Sequence, residues 1–214
     1  MIIKNNLHIS DGNKKTGDIP AFNLLPGITC SAAAKITCYI NGCYAVNDLR
    51  YPTTRNAWTD NTNAVMNDLP GVKAALMEFF GGMNAPRFFR IHSSGDFITR
   101  DYALMWYEVA KANPHTNFLA FTKQFDNVRG VPFYELDNFS LVLSSWNGHD
   151  VPADLMELYT VAYCDDGVIT IPEYRPLIEC PGNCDRCGVC WSLSKRGLNV
   201  KFKKHGAKKN KTNE

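Results

Sequence analysis

The sequence predicts an α/β fold built on a mainly parallel sheet with crossover helices. Helix-like and strand-like segments alternate along the 214 residues, no internal repeat is visible, and 45% of the residues are hydrophobic. Spacing of strand, helix and strand in this order is typical of parallel sheets with right-handed crossovers. Both a partial barrel and a doubly wound sheet fit the spacing, and periodicity does not separate them.

The predicted elements are two long helices and five strands. The stretch 63–83 suits a helix that breaks near Pro70 and ends at Gly81 and Gly82. The stretch 100–113 carries apolar residues at helical spacing and stops before a proline. Segments rich in β-branched and aromatic residues predict the strands 87–96, 116–123, 139–146, 159–164 and 167–172.

Polar residues collect where the predicted strands end. Ligands of parallel sheets bind beyond the C-terminal ends of the strands, so we expect catalytic and cofactor-binding residues there. The candidates for catalysis are Arg90, His92, Asp96 and Lys123. The candidates for binding a cofactor are Ser94, Gly95, Asp96 and Ser144.

Alternation assigns the side chains of the segment RFFRIHSS (87–94) to two faces. Phe89 and Ile91 would meet the helices, and a polar set would face a barrel interior or a cleft. Pairing within the core would equally account for the buried basic residues, and a turn or helix cap for Asp96. The polar set consists of Arg90, His92 and Ser94.

Cysteine content and flanking sequence indicate a cellular compartment. The N-terminus lacks the apolar stretch of a signal peptide, and no run approaches the roughly 20 apolar residues of a membrane span. We therefore expect a cytoplasmic protein with no membrane partner. Because cytoplasmic thiols stay reduced, eight cysteines indicate metal or redox chemistry more than disulfides.

Charge is distributed unevenly along the chain. Residues 195–214 carry eight Lys or Arg against one acid, whereas residues 1–194 carry 15 against 20. We therefore expect one domain over residues 1–194 and a basic, flexible tail after it. Such a tail can bind the phosphate backbone of a nucleic acid by releasing counterions, or can simply be a solvated terminus.

Four cysteines stand close together within residues 180–190, in the stretch ECPGNCDRCGVCW. Four thiolates with gaps of three, two and two residues can wrap one compact inorganic core, as in bacterial ferredoxins. Structural zinc more often takes ligand pairs from segments further apart, so the spacing favours iron–sulfur while zinc stays open. These expected metal ligands are Cys180, Cys184, Cys187 and Cys190.

A second group of expected ligands, within residues 30–43, has three cysteines: Cys30, Cys38 and Cys43. Three thiolates leave one iron of a 4Fe–4S cubane without a protein ligand, unless Cys164 or the other group completes the set. An open iron can bind a substrate or cofactor, and a closed one transfers electrons or stabilises the fold. Burial in an apolar strand best accounts for Cys164.

The chain resembles the phage-encoded gene product 88 family. The motifs that carry this resemblance cover most of residues 22–191. They are PGITC, CYA with a following Arg50, RIHSSGDF with Tyr102 and Trp106 downstream, FLAFTK, LSSW and CPGNCDRCGVCW. The family implies a phage protein that works in the cytoplasm of a bacterial host.

A more distant resemblance is to radical S-adenosylmethionine enzymes, which implies a partial barrel, a 4Fe–4S cluster on three cysteines and S-adenosylmethionine as cofactor. Cys180, Cys184 and Cys187 have the usual gaps, but Arg186 stands where an aromatic residue is usual. The group within residues 30–43 has the usual position but different gaps. The stretch SSGDF would be a loose counterpart of the strand end that holds the methionine part of the cofactor.

Three functions follow from these observations. The first is a cytosolic iron–sulfur protein, in its finer form a radical-enzyme-like redox enzyme that uses a cluster with an open iron. The second is a nucleic-acid-binding protein stapled by zinc or by a cluster. The third is a non-catalytic electron carrier or redox sensor. The substrate, small molecule or macromolecule, is not indicated by the residues.

Overall fold

The computed structural model describes residues 1–40, 42–167, 170–172 and 174–203. Within these ranges eight strands form one sheet: β1 Ile9–Ser10, β2 Ala21–Phe22, β3 Phe88–Ile91, β4 Asn117–Thr122, β5 Phe139–Ser145, β6 Thr160–Asp165, β7 Leu177–Glu179 and β8 Asn199–Lys203. Their order is β1-β2-β3-β4-β5-β6-β8-β7. β1 lies antiparallel to β2, and every other pair of neighbours is parallel. The mainly parallel α/β fold is confirmed, and the described strands form an open sheet, not a closed barrel.

Nine α-helices are described in the same ranges: α1 Ala32–Ala34, α2 Tyr44–Asp48, α3 Pro52–Asn67, α4 Leu69–Gly81, α5 Arg100–Ala112, α6 Phe125–Val128, α7 Ala153–Leu158, α8 Cys184–Cys187 and α9 Leu193–Arg196. The helix expected over 63–83 is the end of α3 followed by α4. The two meet at Asp68, whose carboxylate accepts the N–H of Gly71 at 3.0 Å and so caps α4. None of the described helices has the length and apolar character needed to cross a membrane.

The strand expected over 167–172 is not formed where the structure describes it. Gly167 and residues 170–172 lie outside any strand, and residues 168–169 lie outside the described residues. β6 ends because Gly167 has a φ of +83° and donates its N–H to the Asp165 carboxylate at 3.1 Å. The expected strand over 87–96 is also shorter, since β3 ends at Ile91.

Strand order explains why the long helices share one face of the sheet, here called the helix face. From β2 to β6 each strand adds on the same side of its predecessor, and right-handed crossovers then place every connection on the same face. Phe89, Phe118 and Leu141 point to this face and are buried with Trp106 and Phe80 of the helices.

The opposite face, here called the cysteine face, is covered by the connection from β7 to β8. β8 lies between β6 and β7, so this crossover runs in the reverse direction and the same handedness places it on the other side. Trp191 and Leu193 of the connection pack there on Leu119 and Val142 of the sheet.

The ordered chain extends past residue 194, where the sequence predicts the domain to end. β8 pairs with β6, Val200 is buried, and Asn199 accepts the N–H of Val161 at 2.9 Å. The basic residues misled the prediction because Lys201 stands at a partly exposed strand position, paired with Asp165 at 3.5 Å. The rest of the expected tail, residues 204–214, lies outside the described residues.

Candidate metal centre

The three N-terminal thiols gather at the C-terminal ends of β3 and β4. The N–H of Gly27 donates to the sulfur of Cys30 at 3.2 Å, and the thiol of Cys38 donates to Cys43. The ammonium group of Lys123, which follows β4, interacts electrostatically with all three thiols. It is held 5.2 Å from the centre of the Trp146 ring. The structure thus places Lys123 beside the cysteines.

A tight turn brings these cysteines together. Ser31 caps α1 by accepting the N–H of Ala34 at 3.1 Å, and a π-turn over Lys35–Tyr39 follows. The ring of Tyr39 packs against Gly27, and a Cβ added to Gly27 would lie only 2.8 Å from that ring. Gly27 also has a φ of +83°, so both its conformation and its missing side chain permit this contact.

The environment favours a thiolate at one of the three positions. The hydrogen bond from Cys38 lowers the pKa of Cys43 to about 6, and backbone N–H groups at the start of α2 and the charge of Lys123 add to this. The same hydrogen bond raises the pKa of Cys38, and burial raises that of Cys30. Cys43 is therefore already in the form that binds metals at neutral pH.

The four C-terminal thiols line one cavity of about 20 Å³. The chain is fixed there by two backbone hydrogen bonds of 2.7 Å, from Cys180 to Lys201 and from Cys184 to Lys15. Asn183 caps α8, and Gly188, with a φ of +60°, reverses the chain after it. Burial raises the pKa of the Cys190 thiol to about 12, while the charge of Arg90 opposes the shift.

Arg90 lies between the two cysteine groups. Its guanidinium stacks on Phe121 at 4.2 Å, and its Nε donates to the carbonyl of His92 at 3.3 Å. On one side it faces Cys184 and Cys190, and on the other the residue after Cys43, Tyr44, whose hydroxyl donates to the carbonyl of Ser93. Each cysteine group therefore has a basic side chain beside it: Lys123 beside the N-terminal group, and Arg90 together with Lys15 beside the C-terminal group.

His92 does not join Arg90 on the cysteine face, contrary to the alternation of the sequence. Strand β3 ends at Ile91, one residue before His92, and His92 adopts a φ of +61°. Its ring consequently packs on the helix face, with Nε2 2.8 Å from the hydroxyl of Tyr102 and the ring of Phe97 at 5.0 Å. Burial lowers the pKa of His92 to about 3, so the ring is neutral.

The residues expected to bind a cofactor make internal contacts. The Asp96 carboxylate accepts the hydroxyl of Thr122 at 2.5 Å and the N–H groups of Phe97 and Lys123 at 2.8 Å. Burial raises the pKa of Asp96, and these hydrogen bonds oppose the rise. Ser94 donates its hydroxyl to the carbonyl of Leu24 at 3.0 Å.

Two further positions complete the expected set. Gly95 has a φ of +87°, and an added Cβ would lie 2.6 Å from that of Leu24. Ser144 is buried in β5, where it pairs with Ala162 of the neighbouring strand, and it does not belong to the loop over residues 92–97.

The loop over residues 92–97 is fixed to the segment before Cys30, because Asn23 accepts two of its N–H groups and Thr29 a third. Sequence analysis missed both anchors, since they lie about 70 residues before the loop they hold.

The donor atoms suit a soft metal, although they do not converge on one point. No three His, Cys, Asp or Glu side chains within the described ranges are arranged to hold a metal ion, and the eight cysteines form no disulfide. Seven thiols in two spatial groups, each beside a cation, are nevertheless the donors that zinc and iron–sulfur clusters take. Metal binding here would need the thiols of a group to draw together.

Comparison with known proteins identifies relatives. A family model described as Gene product 88 matches residues 2–193. The chain is 26% identical over 215 residues to the Gene 88 protein of Mycobacterium phage L5, an alignment that covers 88% of this chain and 90% of that protein. No solved structure matches the chain. These comparisons confirm the first resemblance and give no support to the one with radical S-adenosylmethionine enzymes.

Proposed function

The chain belongs to the gene product 88 family, and from this premise we propose that it is an iron–sulfur protein of the host cytoplasm. One observation carries the proposal: cysteines spread over residues 30–43 and 180–190 come together as two groups, each with a basic side chain beside it. Thiolates bound to iron carry negative charge, which a neighbouring Lys or Arg stabilises. A core of ordinary buried cysteines would not need these cations.

The two groups differ in the role that we propose for them. The C-terminal group, with Cys180, Cys184, Cys187 and Cys190, holds a closed cluster that fastens the β7–β8 connection to the cysteine face. The N-terminal group, with Cys30, Cys38 and Cys43, holds a 4Fe–4S cluster with one iron open to a ligand. Its position supports this, because it lies at the C-terminal end of the parallel strands, where substrates of such sheets bind.

In its finer form the proposal assigns radical chemistry to the open cluster, which would supply one electron from an external donor to bound S-adenosylmethionine. The sequential strands β2 to β6, with the long helices on one face, support a partial-barrel architecture. The chain's own contribution would be the positive charge of Lys123 and a wall of the site at Trp146. The internal hydrogen bonds of Ser94 and Asp96 leave the methionine part of that ligand to other donors.

The test is to purify the protein without oxygen and to measure iron, sulfide and zinc per chain together with the visible spectrum. We expect matched iron and sulfide and broad visible absorption. The double variants Cys38→Ser with Cys43→Ser and Cys184→Ser with Cys187→Ser should each lose one cluster's iron. Cys164→Ala, which changes the buried cysteine outside both groups, is the matched control and should keep the iron.

The outcomes separate the functions. Zinc without iron would overturn the proposal and leave a zinc-stapled binding protein, which the affinity of the chain for nucleic acid would then test. Iron whose spectrum does not respond to S-adenosylmethionine would overturn the finer form and leave an electron carrier or redox sensor. A spectral change that is lost in the Cys38 and Cys43 double variant would support the open cluster.

A further inference from the structure

A cavity of about 430 Å³ opens beyond the C-terminal ends of β5 and β6, and no cysteine is among its described lining residues. Small-molecule sites have volumes of roughly 300 to 1,000 Å³ and favour this edge of a parallel sheet. The lining residues that matter are Ser145 and Tyr163 from the strands, Asp150 and Val151 from the loop after β5, and Met156 from α7.

The inner part of the cavity combines an apolar wall with one unsatisfied polar group. Val151, Met156 and the ring of Tyr163 supply the apolar wall. The hydroxyl of Tyr163 is buried and has no partner within ordinary hydrogen-bonding distance in the described part of the chain, while the phenol of Tyr174 interacts with it from further away. A buried hydroxyl left unpaired is costly, so a ligand that pairs with it would be favoured.

The charge of the cavity is negative. Asp150 lines it and makes no ion pair with any described residue. Arg175, which interacts electrostatically with Tyr163, is not among the lining residues and is held outside by donating to the carbonyl of Tyr159 at 3.1 Å and to that of Glu157 at 2.9 Å. Asp150 is the one charged side chain among the described lining residues, so a positively charged ligand would meet its carboxylate.

We propose that this cavity binds a small organic cation with an apolar body. Asp150 faces the charged nitrogen, the apolar wall packs on the body, and the Tyr163 hydroxyl hydrogen-bonds a polar atom of the ligand. The site goes beyond the proposed function and needs no metal. It does border the N-terminal cysteine group, because the loop over residues 146–149 separates the two: His149 lies 3.1 Å from the carbonyl of Lys123, and Gly148 lies beside Thr37.

The test uses three amines of matched size as probes, tyramine, agmatine and phenethylamine, titrated calorimetrically into the full chain. We expect at least one to bind with a Kd below about 1 mM. The uncharged and charge-reversed analogues of tyramine, tyrosol and 4-hydroxyphenylacetate, should bind at least tenfold more weakly. Asp150→Asn should weaken amine binding at least tenfold, and Tyr163→Phe should weaken it several-fold.

Asp137→Asn is the matched control, since Asp137 is exposed and precedes β5 at the opposite edge of the sheet. It should bind the amines as the unmodified chain does. Failure of all three amines to bind, or equal binding by the Asp150 variant, would overturn the inference. Calorimetry does not depend on iron, so a chain without iron that still binds amines would overturn only the proposed function.

Discussion

The two faces of the sheet are stabilised by different means. The helix face carries a continuous core of aromatic and aliphatic side chains, centred on Trp106, Phe80 and Phe89. The cysteine face, among the described residues, has a core of only six buried side chains, and partly buried hydrophobic residues and cysteines complete its cover. Cysteines are therefore concentrated where apolar burial is thinnest.

This difference in apolar burial indicates on which face a bound metal would contribute most to stability. Small covers with little apolar area are commonly held by metals or disulfides, because burial alone does not offset the entropy of ordering the chain. The connection over residues 180–193 has this character, with Trp191 and Leu193 as its main apolar anchors. On the helix face, packing alone is sufficient.

The largest effect expected from this comparison concerns two adjacent residues of β3 that point to opposite faces. Phe89→Ala should lower the free energy of unfolding by about 4 kcal/mol, because it leaves a cavity among packed aromatic rings. Phe88→Ala should cost only about 1 to 2 kcal/mol, since Phe88 is partly exposed and loses chiefly its edge contact with Trp191 at 5.6 Å. Urea unfolding of both variants measures the difference, and equal losses would show that the cysteine face has a core of its own.

A smaller effect should distinguish how the two cysteine segments are attached. Gly95→Ala should destabilise by about 3 kcal/mol, because it adds strain at a φ of +87° to a contact of 2.6 Å with Leu24. Gly182→Ala is the matched control, with a φ of +79° and open space around the added carbon, and should cost about 1 kcal/mol. Thermal unfolding provides the measurement. A Gly182 variant as unstable as the Gly95 variant would mean that the C-terminal segment is equally constrained.

The smallest effect concerns pH and the neutral histidine of the helix face. Burial lowers the pKa of His92 from 6.5 to about 3, so the unfolded chain binds a proton that the folded chain excludes. Stability from this source is complete above pH 6.5 and is lost as the pH falls towards 3, by about 1 kcal/mol between pH 7 and pH 5.5.

His92→Asn should remove this slope, because asparagine tolerates a positive φ and does not titrate. Urea unfolding of both chains at the two pH values isolates the difference, since acid effects elsewhere act on both. A variant that retains the full slope would place the titrating group outside His92.

The sequence predicted the elements whose pattern is local. Helix α5 has the expected period and a local cap, since Thr99 accepts the N–H of Tyr102 at 3.1 Å. Strands β4, β5 and β6 are short apolar runs, as expected. Both cysteine groups were predicted from the spacing of the cysteines along the sequence, and the structure brings the members of each group near one another.

Features that depend on distant contacts were not predictable. His92 changed face because β3 ends at Ile91, a limit set by Asn23 and its contacts with residues 70 positions away. The basic composition after residue 194 concealed β8, whose pairing with β6 and β7 outweighs its charge. The cavity beside Tyr163 is formed by residues that share no motif.

The insertion of β8 between β6 and β7 has a consequence for synthesis on the ribosome. β7 has β8 as its described partner, so neither β7 nor the cysteine-bearing connection can dock until residue 203 has left the exit tunnel. The helix face can form while translation continues, but the C-terminal thiols acquire their final surroundings last. The surroundings of these thiols therefore depend on the pairing of β8, and loss of β8 would deprive β7 of its described partner.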